Sequence, residues 1–330
     1  MTEKIVITGG AGFIGSALAA WLNGQGEEDI LIVDSLGGGE KWKNLAGVKF
    51  SDYQEKDDFL ERVRSRDLPP SLETIFHFGA CSSTTEADLH YLVKNNFEYS
   101  KILAASALEA GVRFIYASSA ATYGDGSRGY GDRETDLGGL LPLNKYGFSK
   151  HLFDLYARRR GWLEKIVGLK FFNVFGPNEY HKGSMRSMVC KGYEQIRKRG
   201  RLQLFQSYRD GWQDGEQDRD FIYIKDALEM VGFVHRRKDL SGIFNIGSGR
   251  ARTWNELAAA LFAALEEKKQ ITYISMPEEI RDTYQYHTEA EMEKLRRAGY
   301  DRPITSLEEA VKDYVLNYLV PGRYLAGTGG

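Results

Sequence analysis

An α/β fold, a doubly wound parallel sheet carrying a smaller C-terminal lobe, is the expectation for this chain, and three observations support it. The β-branched run at residues 4–8 leads into Gly9-Gly10-Ala11-Gly12-Phe13-Ile14-Gly15 and then into a helical pattern over residues 16–22. A second apolar run, residues 30–33, ends at Asp34, at the roughly 20-residue spacing that places an acid beside an adenosine ribose. Strand and helix patterns then alternate as far as Pro177, as in a parallel sheet with both faces covered.

Each element has a local reason. Glycines at 9, 12 and 15 permit a tight turn and close backbone approach, while the helix that follows offers free N–H groups and a positive dipole end to a pyrophosphate. The loop over residues 35–47 is polar and glycine-rich, and Lys41 and Lys43 stand within it as candidate phosphate contacts. A third strand is expected at 48–51, ending at Asp52, followed by a polar helix, Pro69-Pro70 and a fourth strand at 74–78. That strand runs into the small residues Gly79, Ala80, Cys81 and Ser82, which should border a ligand because ligands collect beyond the carboxyl ends of such strands. His77 lies inside the apolar strand and reads as a core histidine. A long helix is expected over 86–110, with Asn95-Asn96 in mid-pattern, where asparagine is poorly suited to a helix and invites a packing or binding reason.

The chemistry centres on Tyr146 and Lys150. Their i,i+4 spacing puts both side chains on one helix face. A free phenol titrates near pKa ~10, and a neighbouring ammonium together with a cationic nicotinamide would favour the phenolate. Tyr146 would then take a proton from an alcohol as hydride leaves it. The strand at 113–117 delivers Ser118-Ser119-Ala120-Ala121, so that Ser119 completes a Ser/Tyr/Lys set. Another strand, at 165–170, leads into Asn173 and Val174. Beyond it the composition shifts: His181-Lys182-Gly183-Ser184 opens a helix, a tryptophan-containing insert covers 208–217, and two helical segments follow Thr288.

Composition narrows the classes. With 330 residues, 42% of them hydrophobic, the chain can bury a large core. Its net charge of -2 gives no footing for nucleic acid, and Arg197-Lys198-Arg199 with Arg201 reads as a helix end whose dipole favours cations. Cys81 and Cys190 are too few for a disulfide scaffold and lack metal-ligand spacing, so no metal is expected. The N-terminus enters a strand directly, and no apolar run approaches the roughly 20 residues that span a bilayer, so a cytoplasmic protein is expected. Residues 1–178 should be mainly a dinucleotide-binding domain and 179–330 mainly a substrate lobe, with some segments returning to the first domain. Residues 327–330 (G-T-G-G) are expected to be disordered.

Taken together, the glycine turn, Ser119, Tyr146/Lys150 and the segments around Asn173 and Arg219 resemble the extended short-chain dehydrogenase/reductase family, a Rossmann-fold family, over nearly the whole chain. Residues 77–86 (H-F-G-A-C-S-S-T-T-E), 118–124 (S-S-A-A-T-Y-G) and 181–185 (H-K-G-S-M) are similar in turn to its branch of ADP-heptose 6-epimerases. That resemblance implies NADP, with NAD as the alternative, and inversion at C6 of an ADP-linked heptose on the way to the lipopolysaccharide inner core. It also implies a homo-oligomer, commonly a pentamer. The implied cofactor contacts are Gly9, Gly10, Ala11, Gly12, Phe13, Ile14, Gly15, Asp34, Ser35, Lys41, Lys56, Phe78, Gly79, Ala80, Cys81, Ser82, Asn95, Tyr146, Lys150, Val174 and Lys182. The implied substrate contacts are Ser119, Asn173, Ser184, Lys191, Phe205, Gln206, Ser207, Tyr208, Arg219 and Tyr284.

Lys182 takes the place of the branch's second base, which answers a geometric need. The ketone formed at C6 has to present its other face to the nicotinamide, and one fixed phenol does not reach the oxygen in both positions. The chain departs from the branch at Phe78, where an acid is expected, at Lys191, where histidine is expected, and in the longer insert at 208–217. A 4,6-dehydratase needs an acid/base pair where Ala120 and Ala121 stand. A UDP-sugar 4-epimerase fits Ser119, Tyr146 and Lys150 equally well and is opposed by residues 181–185. A dinucleotide-sensing regulator on the same fold would be expected to lose Tyr146 or Lys150.

Overall fold

A computed structural model describes residues 3–326, and the 327–330 tail lies outside the described residues. The chain begins as β1 (Ile5–Thr8), α1 (Phe13–Gly24), β2 (Ile30–Asp34), β3 (Asp52–Glu55), α2 (Lys56–Arg64) and β4 (Thr74–His77). Helix α3 (Leu89–Leu92) widens through a π turn at Val93–Glu98 into α4 (Tyr99–Glu109), followed by β5 (Arg113–Ser119), α5 (Lys145–Arg159) and β6 (Val167–Phe171). Then come β7 (Asn173–Phe175), α6 (Met188–Arg199), β8 (Leu202–Phe205), β9 (Asp218–Tyr223), α7 (Ile224–Arg236) and β10 (Gly242–Ile246). The chain closes with β11 (Ala251–Thr253), α8 (Trp254–Ala264), β12 (Ile271–Ile274), α9 (Glu278–Arg281), α10 (Glu293–Arg297) and α11 (Leu307–Tyr314).

Seven strands form the main sheet in the order β10-β6-β5-β4-β1-β2-β3, and every neighbouring pair is parallel. Every residue of β1 and β2 is buried, which is why those strands read as near-continuous apolar runs. The order turns back at β1, which lies between β2 and β4, so a crevice opens beyond their carboxyl ends. The late strand β10 returns to the sheet and pairs with β6 from Gly242 to Ile246. A three-stranded sheet, β11-β9-β7, and a two-stranded one, β12-β8, lie outside it. No helix among the described residues is long and apolar enough to cross a membrane.

Three expected elements differ. The third strand begins at Asp52 rather than at Val48, because Asn23 satisfies the Lys49 backbone: Asn23 Oδ1 accepts from Lys49 N at 2.8 Å and Asn23 Nδ2 donates to Lys49 O at 2.9 Å. The ladder with β2 starts only at Asp52, paired with Leu31. The long helix starts at Leu89, capped by Asp88, whose side chain accepts from Tyr91 N at 3.1 Å. The 181–184 segment forms a short 3-10 turn (Tyr180–Met185), broken at Gly183 with φ 55°, and α6 begins only after the Ser187 cap.

His77 is a core residue as expected, 1% exposed and bonded to Thr8 Oγ1 at 2.7 Å and Ser100 Oγ at 2.8 Å. Burial pushes it down to about 3, with the Lys150 charge acting in the same direction, so it packs as a neutral ring.

Candidate active site

The crevice beyond β1 and β4 is built by close backbone approach. Gly9 has φ 69°, and a Cβ there would lie 2.6 Å from Gly79 N, while one at Gly15 would lie 2.1 Å from Gly9 O. The β1–α1 turn, the first turn of α1 and the segment after β4 are therefore in contact, an arrangement open only to glycine at these points. Helix α1 begins after Gly12 with neither a side-chain cap nor an acid in its first turn, which leaves its N–H groups to an anion.

A cleft of about 430 Å³ runs over this turn. Gly9, Gly12, Phe13, Ile14, Gly15, Asp34, Ser35, Lys41, Lys56, Phe78, Gly79, Ala80, Cys81, Ser82, Asn95 and Lys182 line it. Gly10 and Ala11 lie beneath it instead. A Cβ on Gly10 would come within 2.9 Å of the Ile32 side chain, and Ala11 N donates to Asp34 Oδ2 at 2.9 Å. Asp34 also accepts from Ser35 N at 2.7 Å and pairs with Lys41, so both its oxygens have protein donors. Asn96, rather than Asn95, fixes the wall: its side chain accepts from Cys81 N at 2.8 Å and donates to Cys81 O at 3.0 Å and to Ser149 Oγ at 2.9 Å. His181 of the 181–185 motif also lines the cleft, as do Tyr91 and Tyr99, which carried no sequence signal as site residues. A turn held by glycines, an uncapped helix N-terminus and an acid at the end of β2 fit a dinucleotide.

A second cleft, about 360 Å³, shares Phe13, Phe78 and Lys182 with the first and brings together Ser119, Tyr146, Lys150, Asn173, Val174 and Lys191. Helix α5 is started by Asn144, whose side chain accepts from Gly147 N at 2.8 Å. A Cβ on Gly147 would lie 2.6 Å from Ala121 O, so α5 packs tightly on the segment after β5 and Tyr146 is brought to Ser119. Burial pushes the Tyr146 phenol up, and the Ser119 hydroxyl opposes it. The phenolate inferred from the Tyr/Lys spacing is therefore not favoured by the protein alone, because burial outweighs the neighbouring groups. Burial pushes Lys150 down to about 8, against the carboxylate of Asp154 one turn further along α5.

Lys182 borders both clefts, with its amine 5.5 Å from the centre of the Phe13 ring. Burial pushes it down and Glu179 opposes that shift. His181 is pushed down to about 4, by burial first and then by the charges of Lys41 and Lys182.

None of the remaining substrate candidates lines the second cleft itself, but Arg219, Tyr284 and Phe205 gather beside residues that do. The Arg219 guanidinium lies 5.0 Å from the Tyr284 ring centre and 5.8 Å from that of Trp254. Trp254 Nε1 donates to the Tyr284 hydroxyl at 3.0 Å, and the Phe205 and Tyr284 rings meet edge to face at 6.4 Å. Trp254 and Phe221 line the cleft itself, so this aromatic group borders it. Gln206 and Ser207 precede the adjoining insert and are tied to it, and Tyr208 opens it: Gln206 O accepts from Gln217 Nε2 at 3.4 Å, Ser207 N donates to Asp214 Oδ1 at 2.7 Å, and the Arg281 guanidinium sits 4.0 Å over the Tyr208 ring. Ser184 is exposed and its carbonyl accepts from Lys191 Nζ at 3.2 Å. Trp254, Phe221 and Arg186 were missed in the sequence. The Thr253–Glu256 capping box marks where α8 begins, and only tertiary packing shows that Trp254 enters the cleft.

A dinucleotide cleft opening onto a Ser/Tyr/Lys site defines a class, and the chain belongs to the NAD dependent epimerase/dehydratase family, whose model matches residues 5–247. Its cofactor is a nicotinamide dinucleotide. More particularly, the chain is 51% identical over 314 residues to the ADP-L-glycero-D-manno-heptose-6-epimerase of Nitratidesulfovibrio vulgaris (Hildenborough), spanning 95% of this chain and 97% of that one. It is 46% identical over 324 residues to the Fusobacterium nucleatum protein of the same name, spanning 96% and 98%. The crystal structure of Helicobacter pylori ADP-L-glycero-D-manno-heptose-6-epimerase matches the fold with a TM-score of 0.80 at 29% identity, over 96% of each chain.

Proposed function

We propose that the chain is a cytoplasmic, homo-oligomeric isomerase that interconverts ADP-D-glycero-D-manno-heptose and ADP-L-glycero-D-manno-heptose through a 6-keto intermediate, using bound NADP. The observation that carries this reading is the entry of Tyr146 and Lys182 into one cleft from two different elements, α5 and the Tyr180–Met185 turn, beside the dinucleotide cleft. A dinucleotide held by the turn at residues 9–15, Asp34, Ser35 and Lys41 would supply hydride acceptance from C6 and hydride return. Tyr146 takes the proton from the C6 hydroxyl, with the Ser119 hydroxyl orienting that oxygen. Once the ketone has presented its other face, Lys182 gives a proton to the oxygen in its new position. In the reverse direction the two groups exchange roles. Arg219, Tyr284 and Trp254 hold the nucleotide end of the substrate, and Lys191 faces its diphosphate.

Incubation with either C6 epimer, followed by proton NMR, should show both approaching one mixture. Failure with both epimers, alongside interconversion of a UDP-sugar at C4, would replace this reading with that of a 4-epimerase.

NADP is favoured over NAD because Asp34 is already engaged by Ala11 N, Ser35 N and Lys41. Its repulsion of a 2′-phosphate is therefore offset, and Lys56 lines the same cleft. NADP is expected to bind more tightly than NAD, and Lys41→Ala should weaken NADP about tenfold or more, the scale of one charge-assisted hydrogen bond. Titration with both dinucleotides checks this. Tighter binding of NAD, with Lys41 immaterial, would reverse the assignment.

A further inference from the structure

The segment between β7 and α6 carries Lys182 and is fastened by one buried acid. Glu179 is 1% exposed. Its Oε1 accepts from Gly176 N at 3.3 Å and from Ser187 Oγ at 2.7 Å, and its Oε2 accepts from Ser187 N. Gly176 and Ser187 lie at opposite ends of the segment, so a single carboxylate ties its beginning to its end, and Lys182 lies between them. Gly176, Asn178 and Gly183 all have positive φ, at 145°, 79° and 55°, a conformation open to glycine and tolerated by asparagine. Asn178 is held from outside by Ser16 Oγ at 3.0 Å and Leu325 N at 2.8 Å.

Burial pushes the Glu179 carboxyl up, and the donors from Ser187 and Gly176 oppose that shift; in its ionised form it acts on Lys182 through its charge. Lys182 N donates to Glu179 O at 3.0 Å, and the Glu179 carboxylate favours the Lys182 ammonium against burial. The other charged or titratable groups around Lys182 are His181 on its own turn, Lys41 and Asp34 in the dinucleotide cleft, Arg186 just before α6 and Lys191 on it. Tyr146 and Lys150 face it from α5. Most of these are cationic or neutral, so Glu179 is well placed to balance them.

We propose that Glu179 is the positioning residue of Lys182: by joining Gly176 to Ser187 its carboxylate fixes the turn that holds the amine where the two clefts meet, and it places an acid near that amine. This rests on the reading of Lys182 as a proton-transfer group.

The test is the pH dependence of Lys182 acetylation by acetic anhydride in the holoenzyme, read by peptide mass spectrometry. In Glu179→Gln the midpoint should fall by about one pH unit, as expected on loss of a nearby opposite charge, and kcat should fall about tenfold or more. Ser187→Ala removes one donor and keeps the charge, so kcat should fall several-fold while the midpoint stays in place, with cofactor content reporting the fold. An unmoved midpoint in folded Glu179→Gln overturns the proposal. If that variant does not retain cofactor, full kcat in Ser187→Ala overturns it instead. Full turnover in Lys182→Met would remove the catalytic reading of Lys182, while the acetylation midpoint would still report whether Glu179 sets the state of its amine.

Discussion

Tyr146→Phe is expected to keep its dinucleotide and to lose turnover by ~10²-fold or more, the usual scale for deleting an acid/base group. The substitution removes only the hydroxyl, so the packing of α5 on the segment after β5 is unaltered and the cofactor cleft has no reason to change. The phenol is buried and pushed up, with Ser119 its one opposing neighbour, so its ionisation depends on positive charge brought close to it. Lys150 lines the same cleft and, as an ammonium, is a cation able to bring such charge. Because burial pushes Lys150 down to about 8, it is an ammonium below that pH and neutral above it. Support for the phenolate therefore fades as pH rises through 8, and kcat should stop rising there. Full activity in Tyr146→Phe, with cofactor content measured by absorbance, would remove Tyr146 from the chemistry.

Lys182→Met should also cost ~10²-fold or more in turnover, and the loss should appear with both C6 epimers because each direction uses Lys182 once. A proton-transfer role predicts this loss at saturating substrate with little change in KM. A purely phosphate-binding role predicts the opposite, a raised KM and normal turnover once the site is filled, since lysine beside phosphate acts mainly as a point charge. The location of Lys182 on the wall common to both clefts favours the first outcome. Its amine is pushed down by burial, the direction a base working near neutral pH requires.

The parts of the fold legible in the sequence are those governed by local rules. The glycine turn, Asp34 and the Tyr146/Lys150 spacing each depend on a few neighbouring residues, and they announced the sheet and the cofactor cleft. Strand β3 was misplaced because it is an edge strand of polar composition, Asp52-Tyr53-Gln54-Glu55, whose position is set by Asn23 on α1. Asn95-Asn96 was noticed as out of place in a helix, but the reason, the clamp of Asn96 on Cys81 and Ser149, joins three segments far apart in the chain. The same holds for Arg219, Trp254 and Tyr284, which come from β9, α8 and the stretch after α9. Glu179 carried no signal at all, since an acid between Pro177 and His181 reads as an ordinary loop residue until its burial and its three donors are seen.

In the proposed reaction C6 is inverted by removal and return of the same hydride, with Tyr146 and Lys182 moving only protons on oxygen. The most direct test is to run the reaction in deuterium oxide and analyse the isolated heptose by mass spectrometry and NMR. The carbon-bound hydrogen at C6 should remain protium in both epimers after many turnovers, because hydride that stays within the site does not exchange with solvent. Deuterium appearing at C6 in step with epimerisation would mean that the carbon is deprotonated and reprotonated, and would contradict the account.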